Sequence, residues 1–88
     1  MIHLRIVTPS EHSERALDLL DRSGSVCNVI HLPGVARRPH GDVILADVAR
    51  EDASVVISDL KDLGIPRHGA ISVEPIDSQI SEHAARAV

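Results

Sequence analysis

The residues with the greatest capacity for chemistry are an adjacent arginine pair and six histidines. Arg37 and Arg38 are followed by Pro39 and His40, in a stretch framed by Gly34 and Gly41. Forked guanidinium groups grip phosphate or carboxylate with two parallel hydrogen bonds. Arg37, Arg38 and His40 are therefore the candidate anion-binding residues. Facing an anionic membrane, two arginines would supply only about 2 kcal/mol, enough to orient a domain but not to anchor it. The plainer reading of such a pair is a solvated loop. The histidines (His3, His12, His31, His40, His68 and His83) show no HxH or HExxH spacing. No metal site is expected from them. A proton-sensing role for one of them follows only from the ordinary imidazole pKa near 6.5. Cys27 is the single cysteine, which rules out an internal disulfide and any CxxC motif. It reads as a small, buried or half-buried apolar residue in a strand.

Enzymatic signatures are missing from the order of residues. There is no GxSxG elbow and no glycine loop of the GxxxxGK[ST] or GxGxxG type. The acidic residues are scattered rather than paired at strand ends, so no general acid–base couple stands out. The expectation is a protein that is not an enzyme and carries no cofactor.

Composition narrows the classes further. The 88 residues contain no Phe, Tyr or Trp. One domain is expected, near the lower end of what folds alone. Its core must be built from Ile, Leu, Val and Ala, with modest net stability. Base stacking, aromatic cages and ring-stacked sugar sites all need residues this chain lacks. A net charge of −4 argues against nucleic acid as a partner. Met1 leads directly into a strand pattern, so no signal peptide is expected. No apolar run approaches the ~18 residues of a membrane span, and the chain reads as soluble.

The elements that position these residues follow from periodicity. Ile2 to Val7 alternate, with Ile2, Leu4 and Ile6 on one face and His3, Arg5 and Val7 on the other. Thr8-Pro9-Ser10-Glu11 has the form of a capping box with proline at the first helical position. The helix it opens should run to about Arg22, turn Ala16, Leu17 and Leu20 inward, and end at Gly24. Strands are expected at Val26–Leu32 and Val43–Val48, joined by a long loop from Pro33 to Asp42. Ordered loops of that length tend to be functional. Glu51 and Asp52 begin a second helix whose stripe is Ala53, Val56, Ile57, Leu60 and Leu63. Gly64-Ile65-Pro66 should stop it. A last strand follows from Ala70 to Ile76, with Ile71 and Val73 facing in. Asp77 to Val88, polar with alanines, reads as a frayed helical tail.

The order β-α-β-β-α-β predicts an α+β, ferredoxin-like domain over residues 1–76, with residues 77–88 as a separate tail. Both helices should lie on one face of a four-stranded antiparallel sheet. The other face should carry His3, Arg5 and Val7 beside Val43, Leu45 and Asp47, with Ser72 and Glu74 joining them. Apolar residues mixed with paired charges suit a face that meets a second subunit, so a homodimer is expected there. Acylphosphatases use this fold with an Arg and an Asn. Arg5 or Arg37 with Asn28 would be the pair, but the glycine loop that should surround them is missing.

Nearly the whole chain, about residues 1–77, resembles a known family. The likeness is carried by Val26-Cys27-Asn28-Val29, Leu32-Pro33-Gly34, Gly41-Asp42-Val43 and the run from Asp47 to Ser54. These resemble the N-terminal segment of an uncharacterised bacterial family of hydrophobic membrane proteins, domain of unknown function 389. None of these pieces is a catalytic motif. The resemblance implies a short soluble domain on the cytoplasmic side of the inner membrane, preceding several transmembrane helices. The partner it implies is that transmembrane region, and a chain stopping at Val88 implies an excised or truncated form. The expected function is then a non-catalytic regulatory or assembly domain of a bacterial membrane protein. The alternative is a small-anion-binding or hydrolytic domain using Arg37 and Arg38.

Overall fold

Strict alternation in β1 (Ile2–Thr8) sets the architecture, because it separates an apolar face from a mixed one over the full strand. The computed structural model describes residues 1–77 and 80. Along the described chain, β1 is followed by α1 (Ser10–Arg22), β2 (Val26–Arg37), β3 (His40–Val48), a 3₁₀ turn at Arg50–Asp52, α2 (Ala53–Asp62), the single turn α3 (Ile65–His68) and β4 (Ala70–Pro75). The four strands form one antiparallel sheet in the order β2-β3-β1-β4. Thus β3 lies between β1 and β2, and β1 lies between β3 and β4. The fold is α+β.

One face of the sheet carries the core. Leu4 and Ile6 of β1 pack with Ile44, Ala46 and Val48 of β3 against Ala16 and Leu20 of α1 and Ala53, Val56 and Leu60 of α2. Ile65 is fully buried beside them. Close packing of strand to turn also requires a missing side chain. A Cβ at Gly69 would collide with the Val7 carbonyl, so glycine lets the chain cross β1 before starting β4.

Four local expectations are corrected. The long loop from Pro33 to Asp42 does not exist. β2 continues to Arg37 and β3 starts at His40, leaving a two-residue turn of Arg38 and Pro39. Pro33 and Gly34 read as breakers, yet β2 is an edge strand, where a proline costs no ladder bond at a bulge. Two irregularities absorb the misfit, one between Cys27 and Ile30 and one between Leu32 and Ala36. Asn28 (φ 55°) and Gly34 (φ 71°) supply the left-handed residues there. Second, the capping box does not form. Pro9 is the N-cap with no side-chain cap bond, and the Thr8 hydroxyl donates to the Pro9 carbonyl at 3.3 Å. Third, Gly24 does not cap α1, which ends at Ser23 in extended backbone. Fourth, α2 ends before Gly64-Ile65-Pro66 as expected, with Gly64 in the left-handed conformation, but the residues after it form a further helical turn, α3, rather than a loop. Pro66 sits in the first turn of α3, where its missing N–H is harmless. The expected tail helix falls on residues 78, 79 and 81–88, outside the described residues. Among the described residues, no helix is long and apolar enough to cross a membrane.

Candidate functional site

Register turns the open face of the sheet into a grid of three rows. Across β2, β3, β1 and β4, the first row is Cys27, Asp47, His3 and Glu74. The second is Ile30, Leu45, Arg5 and Ser72, and the third is Leu32, Val43, Val7 and Ala70. All eight residues expected on this face, His3, Arg5, Val7, Val43, Leu45, Asp47, Ser72 and Glu74, are therefore on it. Polarity changes along the strands, from a charged row at one end to an aliphatic row at the other. Ile30 is 47% exposed and Leu32 39%, while Val7, Val43 and Leu45 are half-buried. No element of the described residues covers them.

The polar row is tied together by Asp47. Its Oδ1 accepts a hydrogen bond from His3 Nδ1 at 2.7 Å, and its Oδ2 accepts one from Asn28 Nδ2 at 2.9 Å. Asn28 reaches it because the β2 bulge holds that residue at positive φ. Cys27 pairs with Asp47 in register. Burial first, and then the Asp47 charge, push the Cys27 thiol above its ordinary value. The thiolate is the reactive form, and this environment disfavours it. Between β1 and β4, Arg5 Nη2 donates to Ser72 Oγ at 3.4 Å. His3, Arg5, Ser72, Val73 and Glu74 line a shallow depression of about 270 Å³ there.

On the helix-covered side, a second carboxylate gathers four donors. Asp42 Oδ1 accepts from Ser10 Oγ and from the Gly34 backbone N–H, both at 2.8 Å. Its Oδ2 accepts from Ser13 Oγ at 2.6 Å and from His31 Nε2 at 2.9 Å. Asp42 is only 3% exposed. The Ser13 hydroxyl, then His31 and the Gly34 N–H, hold its carboxyl well below the usual carboxylate range. This node joins the first turn of α1 to the β2 bulge. It was not foreseen from the sequence, although Asp42 shares the inward parity of Ile44, Ala46 and Val48. A charge at such a position demands partners.

Arg37, Arg38 and His40 do come together, at the end of the β2–β3 hairpin, and all three are exposed. Pairing of β1 with β3 ends at Thr8 and Asp42. Beyond it only Ala36–Gly41 and Arg37–His40 continue as a two-stranded projection. The result is a convex tip rather than a pocket. Elsewhere, His12 and His68 stack with ring centroids 6.2 Å apart. Among the described residues, no group of three or more His, Cys, Asp or Glu side chains could hold a metal ion. No protein-family model matches the chain, and no curated protein matches it.

Proposed function

We propose that this is a ferredoxin-like, non-catalytic assembly domain that pairs with a second copy of itself through the open face of the sheet. The split β-α-β path, in which each helix-linked strand pair is separated by a third strand, supports the fold reading. The observation that carries the function is the aliphatic end of the open face. Ile30 and Leu32 are exposed there, next to half-buried Val7, Val43 and Leu45. Contiguous exposed apolar surface of this kind marks an interface. A two-fold axis along the strands lays each row over its own copy. Leu32, Val43 and Val7 then meet aliphatic residues, and His3 lies opposite the second copy's Asp47, the self-complementarity that a closed dimer requires. In the setting implied by the resemblance to domain of unknown function 389, such pairing would regulate or assemble a bacterial membrane protein from its cytoplasmic side.

Sedimentation equilibrium over about 1 μM to 1 mM tests the reading. The chain should be dimeric in the upper part of that range. Leu45→Arg and Leu32→Arg should each give monomers with unchanged far-ultraviolet circular dichroism. A wild-type chain that stays monomeric throughout, or arginine variants that dimerise as well as wild type, would overturn it.

A further inference from the structure

Two features of inverse character lie toward the two ends of the β2–β3 ribbon. At one end is the projecting hairpin. No Asp or Glu occurs from Asn28 to Gly41, in a chain whose net charge is −4. The nearest acid in sequence on the tip side, Asp42, is buried and fully engaged by Ser10, Ser13, His31 and Gly34. Among the described residues, Arg37 and Arg38 have no hydrogen-bonded or ion-paired acidic partner. Val35, 56% exposed, adds an apolar contact beside them. The tip is thus convex, basic and partly apolar.

The opposite end has the inverse character. The approach to β2, Ser23 to Ser25, and the start of the α2 region enclose a groove of about 550 Å³. Its floor and walls include Leu19, Val55 and Val56, and its acids are Asp52 and Asp59. Both aspartates are exposed, and Val55 is 59% exposed. Arg22, the one basic residue lining it, turns its Nε back onto the Asp18 carbonyl at 3.2 Å. The groove precedes Val26 and follows Val48, whereas the tip joins Arg37 to His40, so the length of the β2–β3 ribbon separates them. The molecule extends 34 Å along its longest axis.

We propose that the hairpin tip of one copy docks in the acidic groove between α1 and α2 of a second copy, joining chains head to tail. A convex basic tip with an apolar flank fits a concave acidic groove with an apolar floor. Tip and groove lie on different surfaces, so the contact is heterologous and, with an unsatisfied tip and groove at its two ends, extends beyond a pair. It uses none of the open-face rows and stands independently of the two-fold pairing.

The test uses the full chain carrying Leu45→Arg, which removes the open-face contact, in sedimentation velocity at about 30 and about 300 mM salt. At low salt, species larger than a monomer should grow with concentration, and they should shrink at high salt. Arg37→Glu/Arg38→Glu and Asp52→Lys/Asp59→Lys should each weaken this association about tenfold or more. Mixing the two charge-reversed chains should restore it, because the native tip of the Asp52→Lys/Asp59→Lys chain finds the native groove of the other chain and the reversed tip finds the reversed groove. Loss through misfolding would not be restored by mixing. A salt-insensitive monomer, or a mixture that behaves as the sum of its parts, would overturn the proposal. Association that survives both reversals would do the same.

Discussion

Replacing Asp42 with alanine removes the acceptor for four hydrogen bonds at once, and their surroundings set the cost. Ser13 is 3% exposed, so its hydroxyl would lose a charged acceptor and find no water. That alone costs about 1.5–3 kcal/mol. The Gly34 N–H adds about 1 kcal/mol, because the bulge no longer has its anchor. Ser10 and His31 are exposed enough to rehydrate and add about 0.5 kcal/mol each. The expected loss is about 3–5 kcal/mol, against a total of about 4–13 for a chain of this length. Asp42→Asn should cost less, about 1–2 kcal/mol. Its carbonyl can keep Ser10 and the Gly34 N–H, while its amide faces Ser13 and His31, whose hydroxyl and ring nitrogen can both accept.

With no Trp, Tyr or Phe in the chain, urea unfolding must be followed by far-ultraviolet circular dichroism. For a slope near 1.5 kcal/mol per M, the midpoint should fall about 2–3 M for alanine and about 1 M for asparagine. Acidity gives an independent check. The Asp42 carboxyl is held below its unfolded value near 3.9, so its contribution is complete above about pH 5 and is lost as pH falls through the unfolded and then the folded value. The gap between wild type and Asp42→Ala should therefore narrow below about pH 4. A midpoint change under about 0.5 M for alanine, or a gap that is the same at pH 7 and pH 3, would refute the argument.

Four further outcomes follow from packing and burial. Gly69→Ala forces a methyl against the Val7 carbonyl and should cost about 1–3 kcal/mol by thermal melting. Gly34→Ala, at φ 71° with open space around it, should cost about 1–2 kcal/mol and Gly34→Asn less; equal costs would mean that backbone conformation is not the cause. Leu60→Ala, in a fully buried site, should cost about 2–5 kcal/mol in urea unfolding. Cys27 should react slowly with a disulfide reagent near neutral pH, and Asp47→Asn should move the onset of reaction to lower pH by removing the charge that helps to raise the thiol. An unmoved onset would show that Asp47 plays no part.

What the sequence made legible was whatever repeats along an element. The alternation of β1 and the stripe of Ala53, Val56 and Leu60 each bury one uniform face, so period alone placed them. The three rows of the open face follow once the strands are paired, because one parity assigns every residue. The Pro33–Asp42 segment reads as a loop in sequence, and the reason it is a hairpin instead is tertiary. Whether Pro33 breaks a strand depends on whether a neighbour needs its N–H, and only the sheet order reveals that β2 is at the edge. The Asp42 node was hidden differently. Its partners Ser10 and Ser13 lie 32 and 29 residues away, and the Thr8-Pro9 pattern had already suggested a local cap that does not form. The readable signal was the inward parity of Asp42 itself.

That same carboxylate links stability to assembly. Asp42 fixes both ends of one joint: Gly34 and His31 hold β2 where the ribbon leaves the sheet, and Ser10 and Ser13 hold the start of α1. A projection anchored this way keeps its tip in one orientation before any contact forms. Binding then orders fewer residues, and preorganisation of this kind raises affinity without adding contacts. Asp42→Ala removes the acceptor that holds Gly34 and His31 while leaving the tip, the groove and the open face chemically unchanged. In the Leu45→Arg background it should nevertheless weaken head-to-tail association several-fold. In the native background it should leave open-face dimerisation nearly unaltered, since the rows around Leu45 are held by the sheet and not by the joint. Equal effects on both associations would mean that Asp42→Ala acts through global stability, and the hairpin would then owe its orientation to something other than Asp42.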